Sequence, residues 1–335
     1  MEQNRKITIQ DIAEKAKVSK STVSRVLTST ARVADDKRAA VLKAMDELNY
    51  RPNIFARGLA SGQSLTIGVL TQNFGSPFFD AILRGILQGL NGSSYSAIFT
   101  DGRWQAEMEE EALRTLLGRQ VDGVIVVGGF SPGATLARVG EQAPIIVVGR
   151  RIAELADRCI WVDNYQAAYD VTRYLLDAGH RRIAHIAGTL SHEDAVARRD
   201  GYMRALQDAG IAVNRALIVE GDFRSHSGLM AVEMLFTRGE PFSAIFAAND
   251  QMAVGARLAL HRRGIRVPQD VALVGFDNQV DSAYMVPPLT TVNQPAVEMG
   301  EAAARAMLQL LKHQPVQLPV FRTELVIRES VVRLQ

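Results

Sequence analysis

From Leu65 onward the chain alternates short apolar runs with helical stretches, and it does so twice. The runs LTIGVLT (65–71), YSAIFT (95–100), DGVIVV (122–127) and PIIVVG (144–149) are separated by helical periodicity at 78–90, 105–119 and 133–140. A similar set begins about 120 residues later: RRIAHIAG (181–188), ALIVEG (216–221), SAIFAA (243–248) and VALVGF (271–276), with helices at 165–178, 194–209, 226–237 and 250–263. Apolar runs this short, alternating with helices, predict parallel sheets covered on both faces. Two matching sets predict two doubly wound subdomains side by side. A last helix over 295–312 and a strand over 324–328 add an element to each. The chain is then expected to cross between subdomains near 163, 290 and 321, which makes a hinged cleft. In such sheets a ligand sits beyond the carboxyl ends of the strands.

The first fifty residues have a different period. TIQDIAEKAKVSKSTVSRVL (8–27) predicts two short helices joined by a tight turn. Thr8 caps the first and Asp11 completes a capping box, with Ile9, Ile12, Ala13 and Ala16 forming one apolar stripe. Lys17 occupies the break and Ser19 caps the second helix, with Val18 and Val23 at staple spacing. Val23, Val26 and Leu27 turn inward, which leaves Lys20, Ser21, Ser24 and Arg25 exposed. A basic, hydroxyl-rich face starting in the first turn suits the DNA major groove; two helices of an ordinary small core are the other reading of these residues alone. A third helix over 35–48 turns Ala40, Val41, Ala44, Met45 and Leu48 inward, stops at Asn49 and is closed by Tyr50. The stretch RPNIFARGLASGQS (51–64) is either a plain linker or a short helix starting at Pro52, too short to be stable alone.

Charge divides along the same line. Residues 1–62 carry 12 Lys/Arg against 7 Asp/Glu, whereas the remainder carries 26 against 29. A basic head on a mildly acidic body points to a polyanion partner for the head only. The single cysteine, Cys159, excludes an internal disulfide framework and a Cys-based zinc site, and is expected to be a buried small hydrophobe. No apolar run is long enough for a membrane span and MEQNRKITIQD is unlike a signal peptide, so a cytoplasmic, nucleoid-associated protein without membrane contact is expected. Neither a dinucleotide nor a Walker glycine pattern is present, and His192, Glu193 and Asp194 form no metal or nucleophile–base set. The chain is therefore expected not to be an enzyme and to need no cofactor.

The stretches DIAEKAKVSKSTVSRVL, ELNYRPNIFARGLAS, SPFFDAILRGI, GHRRIAHIAG, RRDGYMRAL, FAANDQMAVGA, VPQDVALVGFDN and PPLTTVNQP together resemble the LacI/GalR transcriptional regulators, in register over essentially the whole chain. The resemblance implies a helix-turn-helix DNA-binding domain (1–50), a hinge helix (51–64) and a periplasmic-binding-protein-like core (65–335) that binds effector and dimerises. Its N-subdomain would span 65–162 and 291–320, and its C-subdomain 163–290 and 321–335. It implies a homodimer on a near-palindromic, double-stranded operator. Lys20, Ser21 and Arg25 then fall where base edges are read, and Ser19, Thr22 and Ser24 where phosphates position the helix. Leu59 matches the leucine wedged into the minor groove, flanked by Asn53 and Arg57. Two residues depart from the family pattern: Lys17 replaces the usual Gly or Asn of the turn, and Gly58 weakens the hinge helix.

The same resemblance carries effector contacts onto Arg198, Phe223, Asn249, Asp277 and Gln294. Chemically these suit a polyol: Arg198 and Asp277 each span neighbouring hydroxyls, Asn249 donates and accepts, and Phe223 covers an apolar sugar face. For each residue alone, a buried ion pair or a cap at a sheet end is the alternative. Asn73, Phe74 and Phe78 follow the first strand and are expected to line the cleft; Asp80 is as readily a surface residue. Positions often polar in sugar-binding relatives are Val127 and Gly149, while Arg150 and Arg151 offer charge for an anionic group. The function implied is a repressor of sugar-utilisation genes, released by a small carbohydrate-like effector. The alternative is a corepressor-dependent or activating regulator with a sugar acid, sugar phosphate or purine effector. No leucine heptad follows Val331, so a dimer rather than a coiled-coil tetramer is expected.

Overall fold

The computed structural model describes residues 7–28, 33–50 and 63–334. The chain divides into two compact units, one reaching Thr66 and including Gln120–Asp122, the other made of Ile67–Arg119 and Gly123–Gln335.

In the small unit, α1 (Ile9–Lys15), α2 (Lys20–Thr28) and α3 (Asp35–Glu47) enclose Ile12, Ala13, Val23, Val41 and Ala44. The capping box at Thr8 and Asp11 is closed from both sides. Ser19 Oγ accepts from Thr22 N–H at 3.1 Å and so starts α2. Lys17 takes the left-handed conformation (φ 54°), as does Asn49 (φ 49°) just beyond α3. Asn tolerates that region; for Lys it costs ~1–2 kcal/mol. Val26, Leu27, Leu48 and Tyr50 pack around the buried five, whereas Ala40 is only half-buried. Five buried side chains make a small core, and a unit of this size is marginal by itself.

The large unit holds two larger sheets and a two-stranded ribbon. The first has the order β2-β1-β3-β4-β5, from β1 (Thr66–Thr71), β2 (Ser96–Asp101), β3 (Gly123–Val127), β4 (Ile145–Val148) and β5 (Cys159–Ile160). The pairs β1/β3, β3/β4 and β4/β5 are parallel. The second sheet is parallel throughout, with the order β7-β6-β8-β9 from β6 (Ile183–Ala187), β7 (Ile218–Glu220), β8 (Ala244–Ala247) and β9 (Ala272–Val274). Each strand expected in the two sets is present, its ends shifted by one or two residues. The two-residue β5 was not anticipated, being too short to show a period. Cys159 lies in it, buried, with its thiol donating to Leu155 O at 3.1 Å.

The C-terminal strand departs from expectation. β11 (Glu324–Val326) pairs antiparallel with β10 (Thr291–Asn293), an element not anticipated, and the two form a sheet of their own. Parallel bridges Val274–Thr290 and Asp277–Asn293 join this ribbon to the edge of the second sheet. Beyond β10 the chain enters α11 (Ala296–Leu311), which packs against α4 (Pro77–Leu90) of the first subdomain. The approach is possible only without side chains at the crossing: a Cβ on Gly85 would lie 2.0 Å from Val297 O, and one on Gly300 2.1 Å from Ile82 O.

Candidate functional site

In both sheets the chain reverses order between its first and third strands, so the loops after β1 and β3, and after β6 and β8, diverge there. Those loops build a cleft in the large unit. Its inner part, about 110 Å³, has an apolar floor of Ile82, Val127, Val148 and Met299, with Arg150, Asn164 and Gln294 above it. Its outer part, about 390 Å³, is lined by Asn73, Arg103, Phe223, Asn249 and Asp277. Phe78, Arg198, Trp104 and His192 border both parts.

Arg198 sits on α8 (Glu193–Asp208) and is almost wholly buried. Its guanidinium lies 3.8 Å from the Phe276 ring centroid, donates to Asn164 Oδ1 at 2.9 Å and to Ala248 O at 2.5 Å. It stands 3.9 Å from Asp277 and 3.8 Å from Asp194. Planar guanidinium, aromatic face and two carboxylates fix one orientation, and the looser ion pairs leave charge for a ligand.

Asp277, just past β9, is held by the Gln294 amide at 2.7 Å. Burial pushes its carboxyl up to about 6, although Arg198 and Gln294 favour the charged form. Beneath it, Asp250 at the start of α10 (Asp250–Arg262) accepts from Thr291 Oγ1 at 2.6 Å and from Gln279 N–H at 2.8 Å. Burial first, and the Asp277 charge second, push Asp250 up to about 8. Asn249 is engaged twice: its Oδ1 caps α10 through Met252 N–H at 2.9 Å, and its Nδ2 donates to Phe223 O at 2.9 Å. The cap reading of Asn249 therefore holds alongside any ligand contact. Phe223 has a left-handed backbone (φ 66°), and its ring lies over Gly188 so closely that no Cβ fits there.

Phe74 does not join the others. It is 49% exposed and lines neither part of the cleft, where Phe79 stands instead. Asp80 accepts from Gly75 N–H at 3.2 Å and shapes the loop after β1. Arg150 reaches the inner part, donating to Ser131 O at 3.1 Å and lying 3.5 Å from Glu193, while its Nε is buried without a partner. Arg151 is exposed, over the Trp161 ring. Among the described residues no cluster of His, Cys, Asp or Glu is arranged to hold a metal.

On the small unit, Lys20, Ser21, Ser24 and Arg25 are all exposed on α2, while Val23 is fully buried on its other side. Ser19 Oγ lies 2.8 Å from Ser21 Oγ and 2.9 Å from Thr22 Oγ1, so three hydroxyls gather at the helix N-terminus. Asn53, Arg57, Gly58 and Leu59 lie outside the described residues.

Comparison with known proteins decides the family. Residues 8–53 match the family model of bacterial regulatory proteins of the lacI family, and residues 172–331 a periplasmic binding protein-like domain. The ribose operon repressor of Haemophilus influenzae is 34% identical over 98% of this chain and 99% of its own. The transcriptional regulator GalR of Escherichia coli is 35% identical over 97% of this chain and 95% of its own. The chain belongs to the LacI family of bacterial regulatory proteins. It is a DNA-binding transcriptional repressor, not an enzyme. A solved lac repressor dimer bound to operator and the anti-inducer ONPF superposes with a TM-score of 0.87 at 30% identity, covering 98% of this chain and all of that one. A CelR–cellobiose complex gives 0.71 at 31% identity over 97% of this chain and 99% of its own. No helix among the described residues is long and apolar enough to cross a membrane.

Among the cleft residues that sequence reasoning left without a role are Phe79, Trp104, Phe130 and His192. Trp104 and Phe130 follow β2 and β3, and position beyond a strand end was the signal available for both. His192 carried none, since its place depends on the loop that precedes α8.

Proposed function

We propose that the protein is a homodimeric repressor that reads a near-palindromic operator with paired α2 helices and is released by a carbohydrate effector bound in the cleft. The observation that carries this reading is the Arg198–Asp277 pair at 3.9 Å, buried at the ends of neighbouring elements yet too far apart to satisfy one another. Such a pair accepts and donates to adjacent hydroxyls with charge-assisted bonds. Relatives named for ribose, and solved relatives bound to cellobiose and ONPG, support a sugar as the ligand class. On DNA, Lys20, Ser21 and Arg25 contact bases and Ser19, Thr22 and Ser24 contact phosphates, with Leu59 entering the minor groove between Asn53 and Arg57.

The dimer is supported by an exposed apolar surface. Met230 and Met234 on α9 (Ser225–Arg238), and Val254 and Leu258 on α10, are pairs four residues apart and all exposed. Arg257 Nε donates to Val286 O at 2.8 Å, which ties the 78%-exposed Val286 to α10. A surface of this kind on adjoining elements is a site for association.

The test is fluorescence anisotropy on operator DNA with and without sugars. Effector release by 100-fold requires a preference of ~2.7 kcal/mol for the released state. Arg25→Ala should weaken operator binding by ~1–3 kcal/mol and leave sugar affinity unchanged. Asp277→Ala should keep operator binding and lose the response to sugar; a normal response in that variant overturns the effector site.

A further inference from the structure

Trp104 and His192 meet across the cleft, ring centroids 3.9 Å apart and planes inclined by 28°. The indole follows β2 in the first subdomain, and the imidazole precedes α8 in the second. The two are held very differently. Trp104 and the preceding Arg103 both take left-handed backbone conformations (φ 56° and 53°), and the Trp104 backbone N–H donates to the buried Gln72 Oε1 at 3.3 Å. Phe79 and Phe130 pack against the indole at 5.7 and 5.2 Å. Behind Phe130 the fully buried Glu109 accepts both the Phe130 and Ser131 amides, which locks that loop. The indole is thus a fixed face.

The imidazole is not fixed in this way. Among the described residues its ring nitrogens bond no protein atom, and its neighbours are the rings of Trp104, Phe130 and Phe223. It is a flat group held by ring contacts, placed where the inner and outer parts of the cleft adjoin. Another flat or ring-shaped face can take its place on the indole at the cost of one stack and the gain of another.

We propose that Trp104 is the stacking platform of a second-ring subsite, so that the effector is a two-ring glycoside, a sugar joined to a second sugar or to an aryl group. This rests on the carbohydrate reading of the Arg198–Asp277 site. One sugar ring uses Arg198, Asp277 and Asn249. The second ring displaces His192 and lies with its apolar face on the indole, between Phe79 and Phe130.

Trp104 and Trp161 are the chain's two tryptophans, so W161F leaves Trp104 as the single tryptophan reporter. The probes are glucose, galactose, their phenyl β-glycosides, cellobiose and lactose, titrated into full-length protein by calorimetry and by tryptophan fluorescence in W161F. A two-ring probe is expected to shift the Trp104 emission and to bind about tenfold tighter than its parent hexose. W104A should remove that advantage, so that two-ring probes bind no tighter than their parent hexose. Retention of the full advantage in W104A, or an unmoved Trp104 emission at saturation, overturns the subsite. Should W104A fail to fold, H192A answers the same question: it removes the competing ring and should tighten two-ring binding, whereas weaker or unchanged binding overturns the proposal. If D277A abolishes all sugar binding and W104A changes nothing, the carbohydrate site stands and the second-ring subsite falls. If no probe binds the wild-type protein, both fall.

Discussion

The Gln294 side-chain amide donates to the Asp277 carboxylate across 2.7 Å, joining the segment that leads into α11 to the loop that ends β9. One end of that bond belongs to the second subdomain's sheet, and the other to the chain returning to the first. A ligand that draws on Asp277 therefore acts on a crossing segment and on the cleft at once.

Gln294→Leu should break this tie. The buried carboxylate loses a donor, a loss of ~1–3 kcal/mol for a charged group. Urea unfolding of the variant should show a lower midpoint, and sugar binding should weaken while operator binding in the absence of sugar is retained. A variant that responds to sugar as the wild type does would remove Gln294 from the coupling.

Asp250 and Asp277 make stability fall as pH rises. Burial pushes the first up to about 8 and the second to about 6, both above the ordinary range near 3.8. The folded chain then holds protons that the unfolded chain has released. Their contribution is complete below about pH 4, and is lost as pH rises through about 6 and then about 8. The urea midpoint should accordingly drop between about pH 4 and pH 8, with only Asp250 contributing above about pH 6. Asp250→Asn should abolish the upper part of that drop; persistence of the full drop in the variant assigns it to other groups.

Lys17→Gly should stabilise the small unit. Lys17 lies at φ 54° in the turn between α1 and α2, where its Cβ is unfavourable and glycine's absence of one is an advantage. The expected gain is about 1 kcal/mol, somewhat reduced by the greater freedom of glycine in the unfolded chain. Slower hydrogen exchange of the Ala16 and Val18 amides, which bond Ile12 O and Ala13 O, would register it. Unchanged or faster exchange would mean that the lysine side chain contributes more than its backbone costs.

Periodicity made most of this architecture legible. Runs such as GVIVV and IIVV are buried throughout, so each apolar residue reports directly on its strand. The capping box at Thr8 and the exposed face of α2 followed equally from local spacing. β5 did not, because two residues show no period, and neither did β10, whose pairing is decided by distant chain. Individual cleft residues were legible where a motif named them, as with Arg198 and Asp277. Phe74 and Phe79 were not distinguishable by spacing, since the turn before α4 sets which ring faces the cleft. The Trp104–His192 stack joins residues from different subdomains, and nothing local to either announces the other.

Leu258→Glu tests the association surface without touching the cleft. Leu258 is 42% exposed on α10, four residues from the exposed Val254, and α10 packs against α9, which carries the exposed Met230 and Met234; a glutamate there places charge on this apolar surface. Since the side chain faces solvent in the single chain, the substitution should alter the folded subunit's own stability by no more than about 0.5 kcal/mol. Burying the unpaired carboxylate between two copies should instead cost several kcal/mol. Sedimentation should therefore show a dimer for the wild type and a monomer for the variant, with circular dichroism unchanged. Operator affinity should fall steeply as well, because one α2 helix then reads a half-site without its partner. A variant that remains dimeric would move the interface away from α9 and α10.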